Sequence, residues 1–290
     1  MTNGTAITLT AGDHSAVVTS VGATLAALRF RGVDLVYPLD LTRLPLAYEG
    51  KALAPWPNRI RDGRYAWDGV PLQVPITEVG TGNALHGLAS WLDWDVVDVR
   101  ADAVTLRTTV AAQPGYPFTL DLEARYVLSG DGLAVRLTAR NAGGTPAPVG
   151  LGFHPYLRAG GSIDDLTLSF RAAAVLDVDD RGLPVGRRDV AGTAVDFAEP
   201  RPIAALAMDN PFAMPPFWRV ELRDAGGAGV ALESDAPWLH LYTGELLGRR
   251  ALAVEPTTCP PDAFNSGEDL AVPAPGEIVA LEFRITALAR

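Results

Sequence analysis

Along most of the 290-residue chain, apolar and polar residues alternate with a period of two. The alternating or β-branched segments are Ala6 to Thr10, Ala16 to Ser20, Thr24 to Phe30, Trp94 to Val99, Ala103 to Val110, Phe118 to Val127, Leu133 to Arg140, Leu166 to Phe170, Trp218 to Arg223, Val230 to Glu233, Leu239 to Thr243, Ala251 to Glu255 and Ile278 to Ile285. Turn residues bound most of them, so each reads as a short strand. No window of three turns keeps a 3.6-residue apolar repeat free of Gly or Pro, and helix is expected to be scarce. The clearest hairpin runs from Tyr126 to Arg136, where Gly130, Asp131 and Gly132 can take the positive φ of a tight connection.

Many strands with little helix predict an all-β fold, a large antiparallel β-sandwich. No Ser/Gly linker, charge run or fixed-period repeat divides the chain, which predicts one domain over residues 1–290. The least strand-like stretches are Leu53 to Tyr65, Glu78 to Ser90 and Pro256 to Glu268. Loops carried on a rigid sheet are where sites collect.

Composition then narrows the partners. With 48% hydrophobic residues the chain can bury a large core. Twenty-four basic against 34 acidic residues give a net charge of −10, whose field repels phosphate backbones and anionic lipid. Neither nucleic acid nor membrane is an expected partner. The longest apolar runs, such as Val21 to Leu28, fall short of a membrane span. A lone Cys259 excludes an internal disulfide, and MTNGTAITLT lacks the basic start and apolar core of a secretion signal. The expectation is a cytoplasmic protein.

Candidate chemistry lies in the loops. His86 sits in TGNALHGL and His154 in GLGFHPYL, whereas His14 and His240 have no such company and read as ordinary structural histidines. The apolar run Ala251 to Val254 ends at Glu255, and Pro256 is expected to stop the strand there. That would set the carboxyl, partly buried and raised in pKa, at the lip of a sheet. Asn58 and Arg59 offer donors beside the stiff Trp56-Pro57. No His-x-His or His-x-x-x-His spacing occurs, so no metal is expected.

The segments PWPNRIRDGRY, NALHGL, GFHPYL, MDNPF and VEPTTCPPDAFN, in that order, resemble the aldose 1-epimerase (galactose mutarotase) family. The match spans Asn58 to Asn265 and implies a galactose mutarotase-like β-supersandwich acting on a small sugar. Carried over by motif, the general base falls on Glu255, the general acid on His154 and the other active-site histidine on His86. Arg59 with Asn58 would contact substrate, and Asp209 would bind sugar hydroxyls. Leu88 stands where family members often carry a second Gly, and the His154 motif lacks an asparagine-led form. Both departures bear on the choice of sugar.

The implied reaction opens a pyranose, rotates C1 about the C1–C2 bond and closes it on the other face. A base takes the C1-hydroxyl proton while an acid protonates the ring oxygen, and closure reverses both transfers. Glutamate and histidine titrate near about 4.3 and 6.5, and a neighbouring carboxylate is expected to keep His154 protonated. No electrons move, so no cofactor is expected. Trp56, Tyr156 and Tyr242 are candidates to stack on the sugar, while Phe153 reads as core. Competing readings are a noncatalytic carbohydrate-binding or sensor protein, and a hexose-phosphate 1-epimerase in which Arg59, Arg61 and Arg64 meet the phosphate. A glycoside hydrolase would need a second carboxylate opposite Glu255.

Overall fold

Strands form wherever the alternation marks them and also at Arg64–Trp67, Val70–Gln73, Ala174–Val178, Pro184–Asp189 and Asp209–Ala213, which it did not mark, and every pairing between strands is antiparallel. The computed structural model describes residues 2–289. Three sheets make up the body. A four-stranded meander contains Ala6–Ala11, His14–Thr19, Thr24–Phe30 and Val33–Asp34. A nine-stranded sheet is centred on Leu120–Ser129, Gly132–Asn141 and Ile278–Leu288. An eight-stranded sheet runs Pro184–Asp189, Ala174–Val178, Asp209–Ala213, Trp238–Tyr242, Leu252–Thr257, Gly152–Phe153, Ala52–Leu53, with Tyr156–Leu157 also paired to Leu252–Thr257. Two short ribbons complete the set, Arg59–Ile60 with Ala84–Leu85 and Arg64–Trp67 with Val70–Gln73. The one α-helix among the described residues is the single turn Ala263–Ser266.

The central hairpin shows why the sheets face each other. Leu120, Leu122, Ala124, Tyr126 and Leu128 point inward from one strand, and Leu133, Val135, Leu137 and Ala139 from its partner. The alternate positions, among them Arg125, Arg136 and Arg140, meet solvent. Each leucine so buried contributes on the order of 1.5–3 kcal/mol, which only a second apolar layer supplies. Of the three turn residues only Gly132 takes a positive φ. One contiguous core joins Leu9 and Leu28 of the meander, Leu122 and Leu137 of the nine-stranded sheet, and Phe153 and Val254 of the eight-stranded one.

The strand carrying Glu255 differs from the expectation. It continues through Pro256 to Thr257 and is buried over its whole length. A missing N–H is tolerated because the neighbouring chain is interrupted there: Val254 donates to the Pro155 carbonyl and Thr258 to that of Leu151, and Pro256 falls between the two bonds. Glu255 is therefore paired within a buried strand and does not stand at a sheet's lip.

Candidate active site

Register alone sends five side chains to one face of the eight-stranded sheet. Residues opposite each other in an antiparallel pair point the same way, as do residues two apart along a strand. Glu255 is paired with His240, Tyr242 with Asp209 and Ala253, and Ala253 with Tyr156. Asp209, His240, Tyr242, Glu255 and Tyr156 consequently share a face, which His154, two residues before Tyr156, joins. The ribbon of Arg59–Ile60 and Ala84–Leu85 supplies the rest. Asn58 and His86 flank it in left-handed backbone conformations, with φ of 54° and 60°. They bond reciprocally: the His86 N–H donates to the Asn58 carbonyl at 2.8 Å, and the Asn58 N–H donates to His86 Nδ1 at 3.1 Å. Gly87 must be glycine, since its φ is 74° and a Cβ would meet the Ala54 carbonyl oxygen at 2.2 Å.

These residues enclose a cavity of about 320 Å³, with Tyr48, Glu78, Leu46 and Leu246 completing its wall. At its floor Glu255 and His154 are 2% and 5% exposed. His154 Nε2 lies 3.4 Å from Glu255 Oε1. His154 Nδ1 and Glu255 Oε2 have no hydrogen-bond partner among the described residues. The His154 ring stacks on Tyr156 at 5.0 Å between centroids and meets His86 edge-on at 5.2 Å.

Burial pushes Glu255 well above the usual carboxyl range, repulsion from Asp209 adds to the rise, and Arg59 partly opposes it. Burial, with His240 adding, pushes His154 down to about 3. Both shifts favour the uncharged forms of the pair, in the direction opposite to the protonated His154 expected from sequence. Burial is the largest cause of both shifts, because it penalises the charged form of each group. His86 is also driven far below its ordinary value, by burial first and then by His154 and Arg59.

The cavity wall is held by charge. Arg59 donates to both Glu78 oxygens, at 2.8 and 2.9 Å, and its Nη2 lies 3.9 Å from Asp209 Oδ2. Burial would raise Glu78, but the Arg59 bonds and one from the Thr81 hydroxyl hold it low. Asp209 is half-exposed at the cavity mouth. Burial works against its charge, yet the His240 bond at 2.6 Å and the Arg59 charge bring it down to about 2.

The structure brings together Glu255, His154, His86, Arg59, Asn58, Asp209 and Tyr156 of the sequence candidates, with Tyr242 beside them. Trp56 lies elsewhere. Its ring is 2% exposed, donates from Nε1 to the Ala84 carbonyl at 3.3 Å and packs on Phe264 and Tyr116, so it belongs to the core. Phe153 is core as expected. His240, read from sequence as ordinary, lines the cavity. The one sequence signal was a histidine inside the apolar run Trp238 to Leu241, where a buried polar side chain needs a partner. Tyr48 and Glu78 were also missed, because nothing local marks them. His14 packs on Phe30 away from the cavity. Arg61 pairs with Asp262, Arg64 is exposed, and neither lines the cavity, which removes two of the three cations of the phosphate reading.

His86, His154 and Glu255 place ligand-type atoms within 4.8 Å of one another, a convergence the spacing rule did not foresee. The donor set does not suit a metal as it stands. The Asn58 amide occupies the lone pair on His86 Nδ1, so the proton sits on Nε2 and that nitrogen has none to give.

A large β-sandwich with a buried carboxyl–imidazole pair facing a small polar cavity defines the class of protein. The chain belongs to the aldose 1-epimerase family, whose model matches residues 5–286. It is similar to an uncharacterized protein, YihR, of Escherichia coli K12, at 39% identity over 287 residues, covering 98% of this chain and 93% of that one. An aldose 1-epimerase of the same organism is 28% identical over 227 residues, covering 70% of this chain and 65% of the enzyme. Among solved structures, a GalM/aldose epimerase homologue from C. elegans superposes with a TM-score of 0.88 at 23% identity, covering 98% of both chains. Galactose 1-epimerase from Lactobacillus acidophilus NCFM gives 0.84 at 22%, covering 98% of this chain and 95% of that one. At those identities the solved structures speak for the fold, which is the galactose mutarotase-like β-supersandwich. No helix among the described residues is long and apolar enough to cross a membrane.

Proposed function

We propose that the protein is an aldose 1-epimerase that interconverts the α and β anomers of a free aldose, with Glu255 and His154 as its proton carriers. The observation that supports this most is their pairing: two buried groups 3.4 Å apart, shifted in opposite directions, each with an unpartnered polar atom. Together they carry one proton. When sugar hydroxyls solvate the pair, that proton can pass to His154, leaving Glu255 a carboxylate. Glu255 then takes the proton of the C1 hydroxyl, the C1–ring-oxygen bond breaks, and His154 protonates the ring oxygen. The pair is left as Glu255 carboxyl and neutral His154. After rotation about C1–C2 the same groups run backwards, His154 taking the proton from the C5 hydroxyl and Glu255 returning one to O1.

Asp209 and Arg59 would meet the sugar's hydroxyls at the cavity mouth, His86 would donate from Nε2, and Tyr156 and Tyr242 would flank the ring. A glycoside hydrolase would also set an ionised acid against a protonated one, and Asp209 and Glu255 share this cavity. Asp209 Oδ1, however, is already held by His240 at 2.6 Å, and the family membership favours isomerisation. Polarimetry of fresh α-D-glucose and α-D-galactose tests the proposal. Faster equilibration that is lost in Glu255→Gln supports it. No acceleration with any free aldose refutes it in favour of a sugar-binding protein, and release of monosaccharide from a disaccharide refutes it in favour of hydrolysis.

A further inference from the structure

The cavity holds three histidines, and one residue touches two of them. The backbone N–H of Asn58 donates to His86 Nδ1 at 3.1 Å, and its side-chain Nδ2 lies 3.4 Å from His240 Nδ1. Both Asn58 groups are nitrogens that carry only hydrogen, so both imidazole Nδ1 atoms must offer lone pairs. The orientation of the Asn58 amide is itself set, because Arg59 Nη1 donates to its Oδ1 at 3.5 Å. On its far side His240 Nε2 meets Asp209 Oδ1 at 2.6 Å, and a carboxylate oxygen there requires an N–H. His86 Nε2 has no protein partner among the described residues and belongs to the cavity wall. Asn58 is 5% exposed and left-handed, a backbone that asparagine adopts more readily than most residues.

We infer that Asn58 is a positioning residue that fixes His86 and His240 in the Nε2–H tautomer, making His86 an obligatory hydrogen-bond donor to the substrate and His240 the anchor of Asp209. His154 receives no such bond, and its Nδ1 is unpartnered. It is then the one cavity histidine free to exchange a proton during turnover. That last step rests on the isomerase reading, whereas the tautomers do not.

Long-range proton–nitrogen NMR of the full chain with ¹⁵N-labelled histidine separates the two tautomers without any substrate, the four histidines being assigned by single His→Gln variants. Wild-type protein should show Nε2–H at His86 and His240. Asn58→Gly keeps the left-handed backbone and its N–H, so His86 should stay Nε2–H, while His240 keeps the Nε2–H that Asp209 requires but loses the donor at Nδ1, whose nitrogen resonance should shift. Asn58→Asp presents acceptor oxygens to His240 Nδ1 and should protonate it. An Nδ1–H tautomer at either residue in the wild type, or a His240 spectrum unaltered in both variants, overturns the inference. Among activities, His86→Gln retains an amide donor and should keep kcat within about tenfold of wild type, the worth of one altered hydrogen bond, while His86→Leu should lose more. If His86→Gln is as inactive as His154→Gln, His86 moves protons and the inference fails. A wild type inactive on every aldose, with the tautomers as stated, would refute the isomerase reading and leave the Asn58 assignment standing.

Discussion

Two concave regions of this molecule are built from arginine and glutamate, and only one is a candidate for chemistry. The groove across the outer face of the nine-stranded sheet is the larger, about 790 Å³ against about 320 Å³, and is lined by Arg125, Arg136, Arg219, Glu233, Glu282 and Arg284. Its Arg219–Glu233 bridge, at 2.9 Å, matches the 2.8 Å of Arg59–Glu78 in the smaller cavity. The side chains of the outer pair are 40% and 42% exposed, those of the inner pair 12% and 22%. Water screens the first more than the second, so equal distances carry unequal energies. Volume does not mark the site. Exclusion of water does, because it moves Glu255 up and His154 down and leaves one polar atom of each without a hydrogen-bond partner among the described residues.

The sharpest way to break this comparison is to remove one of the two proposed proton carriers. Glu255→Gln should lower kcat/KM by about 10²–10⁴-fold, the range general acid–base groups supply, with sugar binding retained by calorimetry. His154→Asn should match it, and a His154→Asn protein with wild-type polarimetric rates would transfer the acid role to His86. His14→Asn should leave the rate unchanged.

Stability gives a second contrast. Glu78→Ala strands the mostly buried Arg59 guanidinium and should cost about 2–3 kcal/mol in urea unfolding, less than a fully buried pair because some solvent still reaches both groups. Glu233→Ala in the outer groove should cost less than about 1 kcal/mol. Equal losses would contradict the role given to burial.

The pH dependence of unfolding separates His154 from Glu255. His154 titrates lower in the folded protein than in the unfolded chain, so on acidification the unfolded state binds the proton first. Its stabilising effect is present above the unfolded value of 6.5 and is lost as pH falls towards about 3. Glu255 is raised on folding, so its contribution is present below the unfolded value of 4.5 and is lost as pH rises through the folded one. His154→Asn should therefore flatten the acid limb of the urea midpoint, and Glu255→Gln the limb above 4.5. The smallest effect expected is that of Arg219→Ala on mutarotation, which should be nil by polarimetry.

Much of the fold was legible because alternation is a local property. Leu120 to Leu128 announce an inward face in their own spacing, and a short Gly-containing turn announces the hairpin. The cavity-lining residues within unusual loops, His86, His154, Asn58 and Arg59, were legible for a similar reason: Gly, Pro and His crowd together where the backbone departs from the strand. Trp56 and His240 were not. One stands in the most conspicuous loop and packs into the core, while the other stands in an ordinary strand and reaches the cavity. Which face a loop tryptophan turns to, or which strand lies beside which, depends on pairings between residues as distant as Asn58 and His240.

The sequence by itself determined the strand-rich architecture and the family motifs, and with them the residue types that proton transfer on a sugar needs. Tertiary structure alone decided that Glu255 is paired inside a buried strand, that burial pushes its carboxyl up and His154 down, and that one asparagine bonds two histidines. Those outcomes follow from register and water exclusion, and both arise only when segments far apart in the chain are packed against one another.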